Sequence, residues 1–541
     1  MKQPLLFIRY LQRKLDIWLI AAVVIGSLLL APLLMVFIGI AQPSPEWQHI
    51  RATVLPRYVL NTCLLILFVG GLTLLFAVPS AWFVAFFEFK GRRFWQWTLV
   101  LPLAIPTYVA AFTYYDLLDW MIPVWIYIRQ TWGISAAQWA EQIVRYGLLI
   151  VLLSSVLYPY LFLSLRTAFK RQQSIFFEAS RMLGKSPWTM FWRVGLPLAR
   201  PAFVAGLSLI VMEVINEYGA VHFFGVPTLT EGIFRTWFGL GDRVAGLRLA
   251  GIMLLFVFIV LGLEYWQRRR LRFTEASLSG AMVSRVSLSR RASVLVNLLC
   301  CLPLMLGFLF PVGRLVHWAY LSYHSHKFSD FFVQGLHSLL LAAVVAVILT
   351  LIAFFLSFCA KVHEGAGVQR FLRSATLGYA IPGVVIAVGT MQLFGHVDRY
   401  SGMSWMLSGS LFAIGFAYTV RFMTVSYQPI SAGMQNVCSH LHDASRMLGQ
   451  SHLRTLTAVH WPLLQTTLLA GAILVFIDIM KELPLTLILR PAEFETLATY
   501  AFGFAKEGQI YHSALPCLVI ISLGAVGLFY INRWLESVQE R

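Results

Sequence analysis

The sequence predicts an all-α membrane protein of about twelve transmembrane helices in two parallel six-helix repeats. Three observations predict it. Hydrophobic residues make up 59% of the 541 residues and charged residues 12%, with a mean hydropathy of +0.74. A soluble domain cannot hide that much apolar surface. Apolar runs of about 20 residues, enough to span a hydrocarbon core as helices, recur along the chain. The stretch Ala-Ser-Arg-Met-Leu-Gly occurs twice, at 179–184 and 444–449, each time in a polar island between apolar runs.

The first run, Ile17 to Ile40, follows Lys2, Arg9, Arg13 and Lys14. It is too long for a signal-peptide core and lacks a small-residue cleavage site, so it reads as a retained helix with a cytoplasmic N-terminus. The second, Val59 to Phe86, returns to the basic loop Lys90 to Arg93. The third starts near Trp95 and contains Pro102 and Pro106. A Trp-rich outer segment from Leu117 to Val144, interrupted by Pro123, is expected in the membrane interface. The fourth, Tyr146 to Leu165, leads back to Arg166, Lys170, Arg171 and the first polar loop. The fifth, Pro201 to Phe224, goes out, and the sixth, Leu249 to Trp266, returns to three arginines at 268–270.

Residues 268–293 are basic and Ser-rich with no long apolar run, which reads as a cytoplasmic linker. Helices are expected again at 294–318, 333–358, 374–395, 406–428, 463–488 and 512–531, leaving both termini cytoplasmic. The division is a first half 1–267 with a polar loop at 174–200, the linker, and a second half 294–541 with a polar loop at 439–465. Arg314 and Arg421 are exceptions to this topology, and Arg421 is expected to face the bundle or snorkel. The formal charge of +18 sits mainly at the ends of apolar runs, the positive-inside pattern, and is read as topology rather than nucleic-acid binding. The six cysteines show no zinc-type spacing and read as small apolar residues.

The halves repeat in register. Leu101, Ala104, Ile105 and Pro106 recur 276 residues later as Leu377, Ala380, Ile381 and Pro382. Glu178, Gly184, Pro197, Gly206, Glu213 and Glu217 recur 265 residues later as Asp443, Gly449, Pro462, Gly471, Asp478 and Glu482. The first half therefore carries 11 extra residues between its third helix and its polar loop, in or beside the Trp-rich segment. Six helices per half make the repeats parallel, and transport sites form at such repeat interfaces.

Each polar loop reads as two short helices with a bend. Ser174 and Ser439 are placed to cap a helix start, with Glu178 and Asp443 in the early turns, where the helix dipole favours negative charge. Gly184 and Gly449 can take the left-handed conformation that stops a helix, and Ser186-Pro187 restarts one. Gly184-Lys185-Ser186 imitates the end of a phosphate-binding loop, but Ala179 stands where the opening glycine belongs and Gln450 replaces the lysine in the repeat. His440 and His442 read as surface residues, with Ile175 and Phe177 at their repeat positions.

Glu213 and Glu217 sit four apart on an apolar run, and Asp478 and Glu482 repeat them, so each pair is expected to share a helix face. Ionisable groups at membrane depth are costly and face a polar path or a partner. Two readings stay open: oxygen ligands along the path of a hard cation, and structural or gating ion pairs in which Lys481 neutralises Asp478 or Glu482. The composition and spacing stop at a cation or small polar solute.

Glu178-Ala179-Ser180, Gly184, Val194, Leu196 and Pro197 resemble the Glu-Ala-Ala loop of ATP-binding-cassette importer permeases. The second copy departs with Asp443 and Trp461 but keeps Ala444, Gly449, Val459 and Pro462. The resemblance implies that the loops are coupling helices seated in two copies of a cytoplasmic ATPase. It also implies that ATP is used by that partner, with no cofactor on this chain, and that an extracytoplasmic binding protein delivers the solute. The stretch from Lys481 to Pro491 with Phe494 to Thr499, and Glu217 to Val221 with Gly232 to Trp237, resemble ferric-iron permeases in particular. That implies Fe(III) uptake across a bacterial inner membrane, with Glu217 and Glu482 as the residues for any transient contact with the ion. Related permeases for thiamine, polyamines, phosphonates, sulfate or molybdate share much of the pattern. An ion-coupled secondary transporter would also have parallel repeats and membrane carboxylates, but would not need duplicated docking loops.

Overall fold

A computed structural model describes residues 17–171, 182–270, 286–325, 328–363, 365–401 and 406–539. Helix dominates, and the principal helices follow the expected segments. They are α1 (Ile17–Ile40), α2 (Leu55–Phe86), α3 (Thr107–Trp120), α4 (Ile134–Arg171), α5 (Arg200–Asn216) and α6 (Arg243–Arg270) in the first half. In the second are α7 (Arg290–Ser322, through a π segment), α8 (Phe328–Val362), α9 (Gly383–Ser401), α10 (Leu411–Asn436), α11 (Trp461–Lys481) and α12 (Ala514–Gln539). Among the described residues, eight helices are long and apolar enough to cross a membrane, or ten if two bent pairs are each one span. The expected twelve is not reached on this measure, because α9 and α10 are diluted by polar groups, Asp398 and Arg399 in one and Arg421 in the other.

The helices form two compact units that do not follow chain order. One contains α1, α8 to α11 and the end of α12 from Phe529; the other contains α2 to α7 and α12 up to Leu528. In the first unit, Trp18 of α1 stacks on Phe355 of α8 (5.5 Å) and meets Phe358 edge-on (5.7 Å). In the second, the Tyr114 hydroxyl donates to the Leu306 carbonyl at 2.9 Å. Arg314 of α7 pairs with Asp116 of α3 and lies over the rings of Trp120 and Trp318. This settles the charge of Arg314 at membrane depth by an ion pair and two aromatic faces.

The proline motifs shape both halves alike. Ile105 and Ile381 are extended, as the residue before a proline must be. A 3₁₀ turn precedes each, Leu101–Ala104 and Gly378–Ala380. In the first half the chain bends by 88° there. The Trp-rich outer segment is helical rather than loose. Ile122–Trp132 buries no residue, and Trp120, Trp132 and Trp139 are exposed, as interface aromatics would be. At the far end of the linker, Val286–Ser287 pairs in parallel with Phe87–Glu88.

Candidate functional site

Two kinds of paired site emerge, the polar loops and the glutamates at the far ends of the helices that leave them. In the second loop the helix Ser439–Met447 ends at Gly449, whose φ of +76° only glycine adopts at no cost. The turn closes through Gly449 N–H to Arg446 carbonyl (3.0 Å) and Gln450 N–H to Ser445 carbonyl (3.2 Å), the pattern that satisfies the last carbonyls of a helix. The Ser445 and Thr455 hydroxyls, 2.9 Å apart, tie this helix to the next. Ser451 caps Arg454 N–H (3.2 Å), and His452–Thr455 runs through a π segment, Leu456–His460, into α11 with Pro462 in its first turn.

The first loop repeats the scheme. Gly184 has φ +68°, Ser186 caps Thr189 N–H (3.3 Å), and Pro187–Met190 opens the restarted helix as the sequence predicts. A π segment, Phe191–Gly195, again precedes a proline, Pro197, in the next first turn. Glu178, Ala179 and Ser174 lie outside the described residues. Ser439 does not act as the cap: the helix begins at Ser439 itself, after Cys438, with no side-chain cap, while Asp443, its fifth residue, lies in the second turn, among the early turns expected. Lys361 instead steadies the entry to the loop, donating to the carbonyls of Met434 (2.7 Å) and Val437 (2.6 Å) at the end of α10.

Each loop exposes the equivalent pair of apolar side chains. Met182 and Leu183 are 91% and 74% exposed, and Met447 and Leu448 are 89% and 78% exposed. Asp443 and Ala444 share the exposure. Four large apolar side chains exposed at polar loops form a candidate partner surface. His440 is exposed as expected, but His442 turns inward. Its Nδ1 lies 3.4 Å from His460 Nε2, and its ring packs on Phe358 and near His452. Burial, and then Lys361 and Arg446, hold the His442 imidazole below its ordinary pKa against the opposing pull of Asp443.

The helices leaving the loops end at the glutamates. α5 stops at Asn216 and Glu217 is extended; α11 stops at Lys481 and Glu482 is extended. Glu213 and Glu217 therefore do not share one continuous helix, nor do Asp478 and Glu482. Each glutamate caps a new short helix instead. Glu217 Oε1 accepts from Ala220 N–H (2.7 Å), at the start of Gly219–Phe223. Glu482 Oε1 accepts from Leu485 N–H (3.1 Å), in Pro484–Leu489. A carboxylate at a helix start satisfies orphan N–H groups and complements the dipole. The signals in the sequence were Gly219 and Pro484, which permit and start these new turns.

The two carboxylates differ in their other partner. Glu217 accepts a hydrogen bond from the Thr107 hydroxyl at the start of α3. Glu482 forms an ion pair with Arg421 of α10 at 3.2 Å, both side chains 6% exposed. Arg421 also reaches the Ile381 carbonyl (3.4 Å). Residue 383, the 276-residue repeat of Thr107, is glycine. A Cβ there would lie 2.7 Å from Arg421 Nη1 and 3.0 Å from Glu482 Oε1. Gly383 thus vacates the hydroxyl's place for a guanidinium. Lys481 neutralises Asp478 (3.1 Å) and not Glu482. Glu213 lies half-buried on α5, one turn before the break. Among the described residues no three His, Cys, Asp or Glu side chains group to hold a metal ion.

Residues 77–273 and 357–538 each match the family of binding-protein-dependent transport system inner membrane components. The Fe(3+)-transport system permease protein FbpB 2 of Haemophilus influenzae is 24% identical over 471 residues, 85% of this chain and 87% of that protein. The ferric transport system permease protein FbpB of Actinobacillus pleuropneumoniae is 20% identical over 504 residues, 88% of this chain and 70% of that protein. The sulfate transport system permease protein CysT of Escherichia coli is 28% identical over 156 residues, 27% of this chain and 51% of that protein.

Proposed function

This chain belongs to the family of binding-protein-dependent transport system inner membrane components, and on that premise we propose that it is the fused transmembrane pathway of an ATP-driven ferric-iron importer. The observation that carries the mechanism is that one helix in each half joins an exposed loop to a buried glutamate. α11 runs 21 residues, about 32 Å at 1.5 Å per residue, from the loop at 439–460 to Glu482. α5 does the same from the loop at 182–198 to Glu217.

Two copies of a cytoplasmic ATPase seat Met182 with Leu183 and Met447 with Leu448. Both termini are then cytoplasmic, and a binding protein delivers the solute to the opposite face. ATP is bound and hydrolysed by the ATPase alone. Closure of the ATPases moves each loop, and the rigid helix carries the displacement to a break already built into the chain. The loops supply the differential contact that shifts the inward and outward states. Glu217, Glu482, Glu213 and the Asp478–Lys481 pair serve as gate and path, with Glu217 and Glu482 the carboxylates for any passing contact with Fe(III), a hard cation that prefers oxygen.

The test is radiolabelled ferric-iron uptake in cells deleted for this chain and complemented with wild type or with Glu217→Gln plus Glu482→Gln. Deletion should abolish iron uptake. If sulfate uptake is lost instead and iron uptake survives, the ferric assignment falls. A double variant that assembles but does not transport puts the carboxylates on the gate or path; normal uptake removes them from it.

A further inference from the structure

The basic loop after α2 and the start of α7 meet across the parallel pair of Phe87–Glu88 with Val286–Ser287. Leu288 N–H donates to the Glu88 carbonyl (3.1 Å) and Asn297 Nδ2 donates to the Lys90 carbonyl (3.2 Å), so two segments distant in sequence form one frame. Between them is a cleft of about 540 Å³ whose lining includes Lys90, Leu288, Arg290 and Ser293. Glu88, the one acid of the lining, pairs with Arg92 at 3.0 Å. Among the described residues no acid pairs with Lys90 or Arg290, nor with Arg93 and Arg291 beside them, and all four are exposed. The cleft lies on the side of the first polar loop: Trp82 near the end of α2 meets Phe169 near the end of α4 edge-on (5.4 Å) and Phe191 of that loop (5.0 Å).

Positive-inside topology accounts for Lys and Arg on this side. It does not account for two of them, from separate segments, converging unpaired on one cleft. Like charges held together repel, so the cleft suits an anion. The next turns of α7 decide which anion. Val294 and Leu298 follow Arg290 in steps of one turn, with Leu302 after them, and the three are 54%, 63% and 53% exposed. The span Arg290–Ser322 is long and apolar enough to cross a membrane, so these side chains face hydrocarbon. Leu302 lies about 18 Å from Arg290 along the helix at 1.5 Å per residue, against roughly 15 Å for one leaflet's hydrocarbon. A free phosphate or an acidic peptide would use the cations alone; a phosphate head with an acyl chain uses both the cations and the apolar ramp below them. Basic pockets beside membrane helices on the cytoplasmic side take such headgroups. We infer that the cleft binds one anionic phospholipid of the inner leaflet, its phosphate between Lys90 and Arg290 and an acyl chain along Val294 and Leu298. The inference shares with the proposed function only the cytoplasmic placement of the polar loops, and the binding does not depend on the solute transported.

The experiment is native mass spectrometry of the full chain in mild detergent, delipidated and then titrated with palmitoyl-oleoyl phosphatidylglycerol. Wild type should bind one lipid saturably, at least tenfold more tightly than the zwitterionic palmitoyl-oleoyl phosphatidylethanolamine. Glycerol phosphate, the anion without a chain, should not displace it at equal concentration. Lys90→Gln with Arg290→Gln should lower the affinity at least tenfold, and Lys90→Arg with Arg290→Lys should restore it. Arg370→Gln with Arg373→Gln, which removes the same charge from the exposed face of a helix in the other unit, should bind as wild type does. If Lys90→Gln with Arg290→Gln does not assemble, Arg290→Gln alone carries the comparison. The inference is overturned if phosphatidylglycerol binding is absent or unsaturable, if the zwitterionic lipid binds equally, if the neutralised variant binds as wild type does, or if glycerol phosphate competes equally, which would make the cleft a site for a free anion.

Discussion

Replacing Arg421 by Met isolates the contact that distinguishes the second glutamate from the first. The guanidinium lies 3.2 Å from Glu482, and both side chains are 6% exposed. Removing it leaves a buried carboxylate without its cation, a loss of about 3–5 kcal/mol. Glu482→Gln removes the counter-charge of Arg421, which keeps the Ile381 carbonyl, and should cost a similar amount. The double variant removes both charges together, so it should cost much less than the sum, with a coupling energy of about 2–3 kcal/mol. Thr107→Ala in the first half removes only a hydroxyl donor to a charged acceptor, worth about 1.5–3 kcal/mol. The assay is reversible denaturation of the detergent-solubilised chain, read by loss of helical signal. If Arg421→Met costs under about 1 kcal/mol and combines additively with Glu482→Gln, the pair does not hold the break.

Gly383→Ala should destabilise by about 1–3 kcal/mol, since its Cβ would press on Arg421 and Glu482; thermal unfolding reads this. Gly449→Val and Gly184→Val meet no neighbouring atom, so each should cost about 1–2 kcal/mol of backbone strain and uncouple ATP hydrolysis from uptake while assembly survives. Met447→Asp with Leu448→Asp should leave the fold unchanged and weaken co-purification with the ATPase, because both side chains are in open solvent. Burial pushes the Asp242 carboxyl up, but hydrogen bonds from Ala245 N–H (2.9 Å) and the Ser44 hydroxyl (2.7 Å) outweigh it and hold it below its ordinary value. Its stabilising effect is therefore present above about pH 4 and lost as pH falls through the folded value, which hydrogen exchange at the Ala245 amide reports. The depressed pKa of His442 has the opposite chemical cause, burial of a base: the neutral ring is favoured, and the second loop should loosen as pH falls below the ordinary value of 6.5, an effect that His442→Gln should reduce in the exchange profile, His460 beside it remaining.

Within the described residues, the turns and helix starts of the polar loops were legible in the sequence because their determinants are local. A glycine that must turn left-handed, a serine before a helix and a proline in its first turn each act within four residues. Ser439 was misplaced by one position, since Cys438 takes the N-cap place. The glutamate breaks were half legible. Pro484 and Gly219 mark the restart, but four-residue spacing on an apolar run imitates an unbroken helix. Lys481 was the nearest cation in sequence to Glu482, yet it turns to Asp478. Arg421 comes from another helix, 61 residues earlier, and nothing in local spacing points to it.

Hydropathy and internal repetition determined by themselves that this is a helical membrane protein with two repeated halves, each with a polar loop, because burial in lipid and helix capping are one-dimensional demands on residue type. Tertiary structure decided what those demands leave open. α1 joins the second-half helices in one unit, while α7 and most of α12 join first-half helices in the other, since helix pairing depends on surface fit rather than chain order. It also decided that equivalent glutamates are held differently, one by a hydroxyl and one by a guanidinium. The choice rests on whether residue 107 or its repeat at 383 has a side chain, and its consequence appears only where three helices meet.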